Sequence, residues 1–284
     1  MSGVRGPVPA VGFVKGHAYG NDFLCIDADD ATGLPLPAAA RAICDRHRGI
    51  GGDGLVVYRR TSRGASIQLF NADGSSAEVS GNGVRCLAAL LVESGNAAPD
   101  AGGAVREIEI VTAGGAKILA LLHAAPPRYT FRAAMGRPHG LREEQLTAGG
   151  ERVRAVTLSV GNPHCVVLAA SVDEAQRAFP RLGPILTTHE RFPEGTNVEF
   201  VVVERPDRLR ILIWERGVGP TSASGTGACA AAVAAARYGG AARSVTVVSP
   251  GGAQQVEWSD EGVSLTGWAD IVARGHWMRT APPA

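Results

Sequence analysis

The sequence predicts an α+β protein of two pseudo-symmetric lobes, each a mixed β-sheet wrapped around a central helix. Three observations carry this. The chain has 284 residues, about twice a typical domain of roughly 150. A set of short motifs recurs in order at nearly one spacing. Each half runs through short strands rich in Val, Ile and Leu into a Gly-rich turn and an Ala/Leu-rich helix.

The repeat is read most easily at Ser80-Gly81-Asn82-Gly83-Val84-Arg85-Cys86, echoed by Ser224-Gly225-Thr226-Gly227-Ala228-Cys229, 144 positions on (224 minus 80). Upstream, Ile67 to Asn71 matches Ile211 to Glu215, and Gly51 to Val57 matches Gly195 to Val201, both also 144 apart. Gly20-Asn21-Asp22-Phe23 pairs with Gly161-Asn162-Pro163-His164 at 141. Four ordered correspondences at nearly one offset imply an internal duplication, with a period too long for a solenoid.

In each half the Gly turn opens a helix, Asn82 to Glu93 and Thr226 to Tyr238. Both are apolar on most sides, as a helix enclosed by its own lobe's strands would be. The proline pair in Ala124-Ala125-Pro126-Pro127 interrupts the strand pattern of Ile118 to Leu122 and marks the link. The expected N-terminal lobe is residues 1–124 with a C-terminal return at 270–284, and the second lobe is 125–269. The last strand, near Trp268 to Trp277, returns to the first lobe.

Composition narrows the function. With 45% hydrophobic residues, 19% charged and a net charge of +1, the chain reads as an ordinary globular protein with no field to attract nucleic acid or an anionic membrane. No apolar run approaches the roughly 20 residues of a membrane span, and Met1 to Ala10 lacks the apolar core of a signal peptide. The expected setting is the cytoplasm. The five cysteines are widely spaced with no CxxC pair, so neither a disulfide framework nor a zinc site is signalled. Only Lys15 and Lys117 are lysines. Neither lies in Gly-Lys-Ser/Thr, which excludes a P-loop, and two candidates make a pyridoxal enzyme a poor fit. No cofactor, metal, nucleic acid or membrane is expected, and the partner is a small molecule.

In both Ser-Gly-X-Gly turns the glycines let the backbone tighten around a ligand, and the helix that follows offers unpaired N–H groups and the positive end of its dipole. Two such termini meeting at an interlobe cleft would bind a carboxylate. Serine also caps helices well, and Ser80 and Ser224 are open to that reading. The polar residues Asn21, Asn71, Asn162, Asn197, Glu215 and Arg216 gather at strand ends near the Gly-rich segments. A guanidinium takes a carboxylate bidentately and a glutamate takes an ammonium group, so the implied ligand is an amino acid. Asparagine is equally a turn residue, Glu215 with Arg216 reads also as a surface pair, and His164 as a core histidine with no second histidine at metal-ligand spacing.

Taken together, Gly20 to Phe23, Asn71-Ala72-Asp73-Gly74-Ser75, Gly81 to Cys86, Gly161 to His164, Gly195-Thr196-Asn197, Glu215-Arg216-Gly217 and Gly225 to Cys229 resemble diaminopimelate epimerase, in order from about residue 13 to 277. The resemblance implies two α/β lobes around a cleft and a cofactor-free, two-base inversion of the α-carbon of LL-diaminopimelate to the meso form. It implies that Asn71, Asn162, Asn197 and Arg216 hold the distal end of the substrate, with Glu215 and His164 beside the reacting centre. The turns at Gly81-Asn82 and Gly225-Thr226 hold the α-carboxylate, and Asn21 adds a further contact. It places Ser80 and Ser224 where the family has its two acid/base cysteines, and Pro220 where it more often has glutamate. A homodimer is compatible with it. Serines at both positions leave two alternatives beside the epimerase: a racemase or dehydratase of another amino acid such as hydroxyproline, and an amino-acid-binding homologue without turnover.

Overall fold

The computed structural model describes residues 10–77, 80–95 and 106–278. The chain divides into two compact units, one of Met1–Phe131 with Trp268–Ala284 and one of Arg132–Gly267.

Unit 1 begins with β1 (Ala10–Ala18), β2 (Asn21–Asp27), α1 (Leu36–Cys44), β3 (Gly54–Thr61) and β4 (Gly64–Asn71). It continues with β5 (Ser76–Ala77), α2 (Gly81–Glu93), β6 (Arg106–Thr112) and β7 (Gly115–Ala125). Pro126 and Pro127 then turn the chain into β8 (Arg128–Gly136), within which the division between the units falls. Unit 2 carries β9 (His139–Ala148), β10 (Glu151–Ser159), β11 (Pro163–Leu168), α3 (Val172–Thr187), β12 (Asn197–Arg205) and β13 (Arg208–Glu215). After these come β14 (Gly219–Thr221), α4 (Gly225–Tyr238), β15 (Ser244–Ser249) and β16 (Gly252–Ser259). The last strand, β17 (Gly262–Met278), pairs with β16 as far as Thr266 and with β1 from Asp270 onward. That second stretch runs antiparallel to β1.

The duplication is repeated strand pair by strand pair. β1/β2 is antiparallel, β2/β3 parallel, β3/β4 antiparallel, β4/β6 parallel and β6/β7 antiparallel. β10/β11, β11/β12, β12/β13, β13/β15 and β15/β16 follow the same alternation. The central helices are enclosed as expected: α2 is buried from Asn82 to Leu91 and α4 from Gly227 to Ala235. Alanine suits α4 because a short side chain on every face lets strands approach from all sides, and the residues of α4 pack with Leu209, Ile211, Ile213, Val245 and Val247.

Two further helices, which the sequence reading did not place, cover the opposite faces. In unit 1, Ala40 and Ile43 of α1 pack on Leu24, Ile26, Leu55 and Val57. In unit 2, Ala175, Leu182 and Leu186 of α3 pack on Val198, Phe200 and Val202. α3 is capped by Ser171, whose hydroxyl accepts from Glu174 N–H at 3.2 Å, but it contains Pro180 and Pro184. Interior prolines remove backbone donors and read in a sequence as breaks.

The ladders correct one alignment. A uniform spacing of 144 sets Glu199 against Leu55, but Val56 faces Leu69 across β3/β4 while Glu199 faces Ile213 across β12/β13. Leu69 and Ile213 are themselves matched in the repeat, so the counterpart of Glu199 is Val56. The cause is a register shift between Val203 and Arg205, where Glu204 is an extra residue in β12. Because strand side chains alternate between faces, one inserted residue turns everything upstream of it over. Leu55 lies in the core under α1, whereas Glu199 faces the first turn of α4.

Candidate functional site

Ser80 and Ser224 cap the two central helices. Ser80, extended at φ −131° and ψ 118°, accepts from Gly83 N–H at 3.1 Å, and Ser224, at φ −137° and ψ 128°, accepts from Gly227 N–H at 3.1 Å. The capping reading of both serines is therefore correct. Each hydroxyl sits at the positive end of a helix dipole, where a developing negative charge is favoured. Gly81 and Asn82, and Gly225 and Thr226, are first-turn residues whose N–H groups have no acceptor within the helix. Ser224 Oγ also lies 3.5 Å from Thr226 Oγ1.

In unit 2 the polar residues converge. His164 is fully buried at 0% exposure, as is Glu199. Nδ1 of His164 lies 2.8 Å from Glu199 Oε1, and Nε2 lies 2.9 Å from Asn162 Oδ1. A carboxylate and an amide oxygen both only accept, so each ring nitrogen faces an acceptor. The expectation of a satisfied core histidine holds in part, with the satisfying partner a buried acid. Asn197 ties the site's backbone together: its Nδ2 donates to Pro163 O at 3.2 Å and its Oδ1 accepts from Arg216 N–H at 3.0 Å. Arg216 is exposed and donates through Nη1 to Glu194 O at 3.1 Å. Glu215 is half-buried. Burial pushes its carboxyl above the usual range, the Glu199 charge adds to this, and His164 and a hydrogen bond with Thr221 work against it. Glu215 and Arg216 are thus not a surface ion pair.

In unit 1, Asn21 and Asn82 are joined, Asn82 Nδ2 donating to Asn21 Oδ1 at 3.1 Å. Asn21 Nδ2 donates in turn to Asp53 Oδ2 at 2.8 Å, and Arg85 donates to Asn82 Oδ1. Asn71 is exposed and donates to Ser75 Oγ at 2.9 Å, outside that chain of amides. Among the described residues no group of three or more His, Cys, Asp and Glu is placed to hold a metal ion, and no helix is long and apolar enough to cross a membrane.

Glu199 is the site residue the sequence reading missed. Its one signal is an acidic residue inside the apolar run Val198 to Val203. Gly227 makes room for it, since a Cβ there would stand 2.8 Å from Glu199 Oε1 and 3.2 Å from Ser224 Oγ. Gly227→Ala is therefore expected to push Glu199 off His164 and to lower stability by about 1–3 kcal/mol, read by chemical denaturation. Gly83→Ala, whose Cβ would meet the Phe23 ring first, at 3.3 Å, is the control and should cost less. Equal losses would show that the Glu199 contact is not what the glycine protects.

A diaminopimelate epimerase family profile matches residues 13–139 and 156–272. The chain is 40% identical to a diaminopimelate epimerase of Desulforudis audaxviator, over 94% of this chain and 99% of the relative. It is 38% identical to one of Pelotomaculum thermopropionicum, over 93% and 98%. Among solved structures, a "predicted epimerase" from Pseudomonas aeruginosa superposes with a TM-score of 0.69 at 16% identity, covering 95% of this chain and 100% of that one. A hydroxyproline epimerase from Agrobacterium vitis gives 0.67 at 17% identity, covering 94% and 92%. At these identities the structures speak for the fold alone.

Proposed function

The chain belongs to the diaminopimelate epimerase family, and on that premise we propose that it binds diaminopimelate and moves the proton on its α-carbon without a cofactor. The observation that carries the reading is a serine-capped helix N-terminus present once in each unit, with His164, Glu199 and Glu215 gathered at the one in unit 2. The first-turn N–H groups suit an α-carboxylate, and stabilising that carboxylate as it takes up the electron pair of the broken Cα–H bond is what lowers the barrier. Glu215, half-buried, suits the α-ammonium group, while Arg216, being exposed, suits the distal carboxylate.

Ser80 and Ser224 stand at the acid/base positions. A hydroxyl is a much weaker acid than a thiol and needs a neighbouring base to act, so turnover slower than that of a cysteine enzyme is expected. The test is α-proton exchange in D₂O followed by NMR, with LL- and meso-diaminopimelate, alongside binding by calorimetry. Binding with exchange supports the reading. Binding of neither isomer overturns it, and hydroxyprolines are then the next ligands to assay.

A further inference from the structure

Unit 1 strings two site asparagines between a cation and an anion. Arg85 of α2 donates to Asn82 Oδ1, Asn82 Nδ2 donates to Asn21 Oδ1 at 3.1 Å, and Asn21 Nδ2 donates to Asp53 Oδ2 at 2.8 Å. A guanidinium can only donate and a carboxylate can only accept, so the chain runs in one direction. Turning either carboxamide over would set its nitrogen against the guanidinium or its oxygen against the carboxylate. Both amide orientations therefore follow from the charges at the two ends.

Packing does not account for those ends. Arg85 is 3% exposed in a helix that is otherwise apolar from Val84 to Leu91, and the matching residue of α4, 144 positions on, is Cys229. An enclosed helix of this kind thus folds without a charge there, and burying one costs stability unless it is engaged. The Arg85 guanidinium lies 5.6 Å from the centroid of the Tyr19 ring. Among the described residues Tyr19 is the one non-glycine with a positive φ, 58°, a conformation that L side chains rarely adopt. Its hydroxyl accepts from Trp268 N–H at 3.2 Å, and the turn it makes with Gly20 delivers Asn21 to Asn82. Strain kept at a buried tyrosine beside a site residue points to function. At the other end Asp53 is anchored in turn: Oδ1 accepts from Arg46 Nη2 at 2.8 Å, and Oδ2 also accepts from Asp22 N–H at 3.1 Å.

We infer that Arg85 and Asp53 are positioning residues that fix Asn82 and Asn21 as hydrogen-bond donors, and so make unit 1 select a carboxylate over a carboxamide. This rests on diaminopimelate being the ligand. Among the described residues each Nδ2 has one hydrogen committed and, as an NH₂ group, a second to give. Each Oδ1 already faces a donor. The pair therefore has donors to spare beside the first-turn N–H groups of α2, which include that of Asn82 itself. An acceptor-only carboxylate matches them, whereas a carboxamide brings an NH₂ with no acceptor set aside for it. Arg85 and Asp53 need not touch the ligand, because their effect passes through the two amides.

The full chain, ¹⁵N-labelled, is titrated with diaminopimelate and separately with its diamide, following the Nδ2 resonances of Asn21 and Asn82 by NMR and the affinities by calorimetry. Both resonances are expected to move on binding diaminopimelate. Asp53→Asn and Arg85→Gln each put a group that both donates and accepts at one end and leave the chain free to reverse. Each should narrow the preference for diaminopimelate over the diamide by about 10- to 100-fold, as expected for losing a hydrogen bond to a charged group. Arg85→Lys, which still only donates, should recover the preference. A merely structural role would weaken both ligands alike. Resonances that stay put while diaminopimelate binds, a preference that survives both neutral variants, or equal losses for the two ligands each overturns the inference and leaves the diaminopimelate reading standing. Failure to bind diaminopimelate overturns both. The resonance shifts need only the parent chain and diaminopimelate, so they decide the matter even if a variant does not fold or the diamide does not bind.

Discussion

Replacing Ser80 and Ser224 together with cysteine raises the rate of diaminopimelate epimerisation by about 10²- to 10⁴-fold, the range a positioned acid/base group contributes. Both oxygens cap helices, each accepting an N–H at 3.1 Å, and a thiol at a helix N-terminus loses its proton far more readily than one in water. A sulfur in either position gains a usable thiolate at neutral pH. The five native cysteines do not supply one: all are buried, and burial pushes Cys25 and Cys44 up to about 12. The parent chain should therefore react slowly with iodoacetamide and the double variant rapidly at two sites. Unchanged turnover in the double variant, with binding retained, would show that the capping positions are not where the proton is handled.

Asp22→Asn lowers stability, and the loss depends on pH in a defined direction. Burial alone would raise the Asp22 carboxyl, but hydrogen bonds from Arg46 and Lys15 outweigh it and hold it at about 2. The folded state therefore binds the Asp22 proton less readily than the unfolded chain, and the stabilisation is present above the ordinary carboxylate range, near 3.8. It is lost as pH falls through the interval down to about 2. The shift corresponds to roughly 2 kcal/mol, and since Arg46 is half-exposed, solvent screening reduces this to about 1–2 kcal/mol. Urea denaturation of parent and variant should thus differ most at neutral pH and converge toward pH 2. A difference that stays constant across that range would mean the residue acts through packing. Because Asp22 also accepts from Asp53 N–H at 3.1 Å, the variant is expected to loosen the Asn21–Asp53 link and weaken ligand binding as well.

What could be read from the residues differs from element to element. α2 and α4 were legible because each is a nearly unbroken run of helix-forming apolar residues behind a Ser-Gly turn, so cap, glycine and helix agree. α1 and α3 were not. α1 is only nine residues with a proline in its first turn, and α3 carries Pro180 and Pro184, so both read as breaks while packing holds them as helices. Asn162, His164 and Asn197 were found as motif residues. Glu199 was not, because its hydrogen bond to His164 joins positions 35 residues apart, and no local pattern records it. Asn197 shows the same limit from the other side, since its amide is committed to Pro163 O and Arg216 N–H.

By itself the sequence determined the duplication, the two capped helix N-termini, the serines that cap them and membership of an amino-acid epimerase family. These are properties of residue order and spacing, and spacing survives in a linear string. Only the tertiary structure decided which face of β12 looks at α4. The extra residue at Glu204 is absorbed as a bulge, and since side chains alternate along a strand, that bulge sets Glu199 beside His164. A uniform repeat would have turned it toward α3, away from His164.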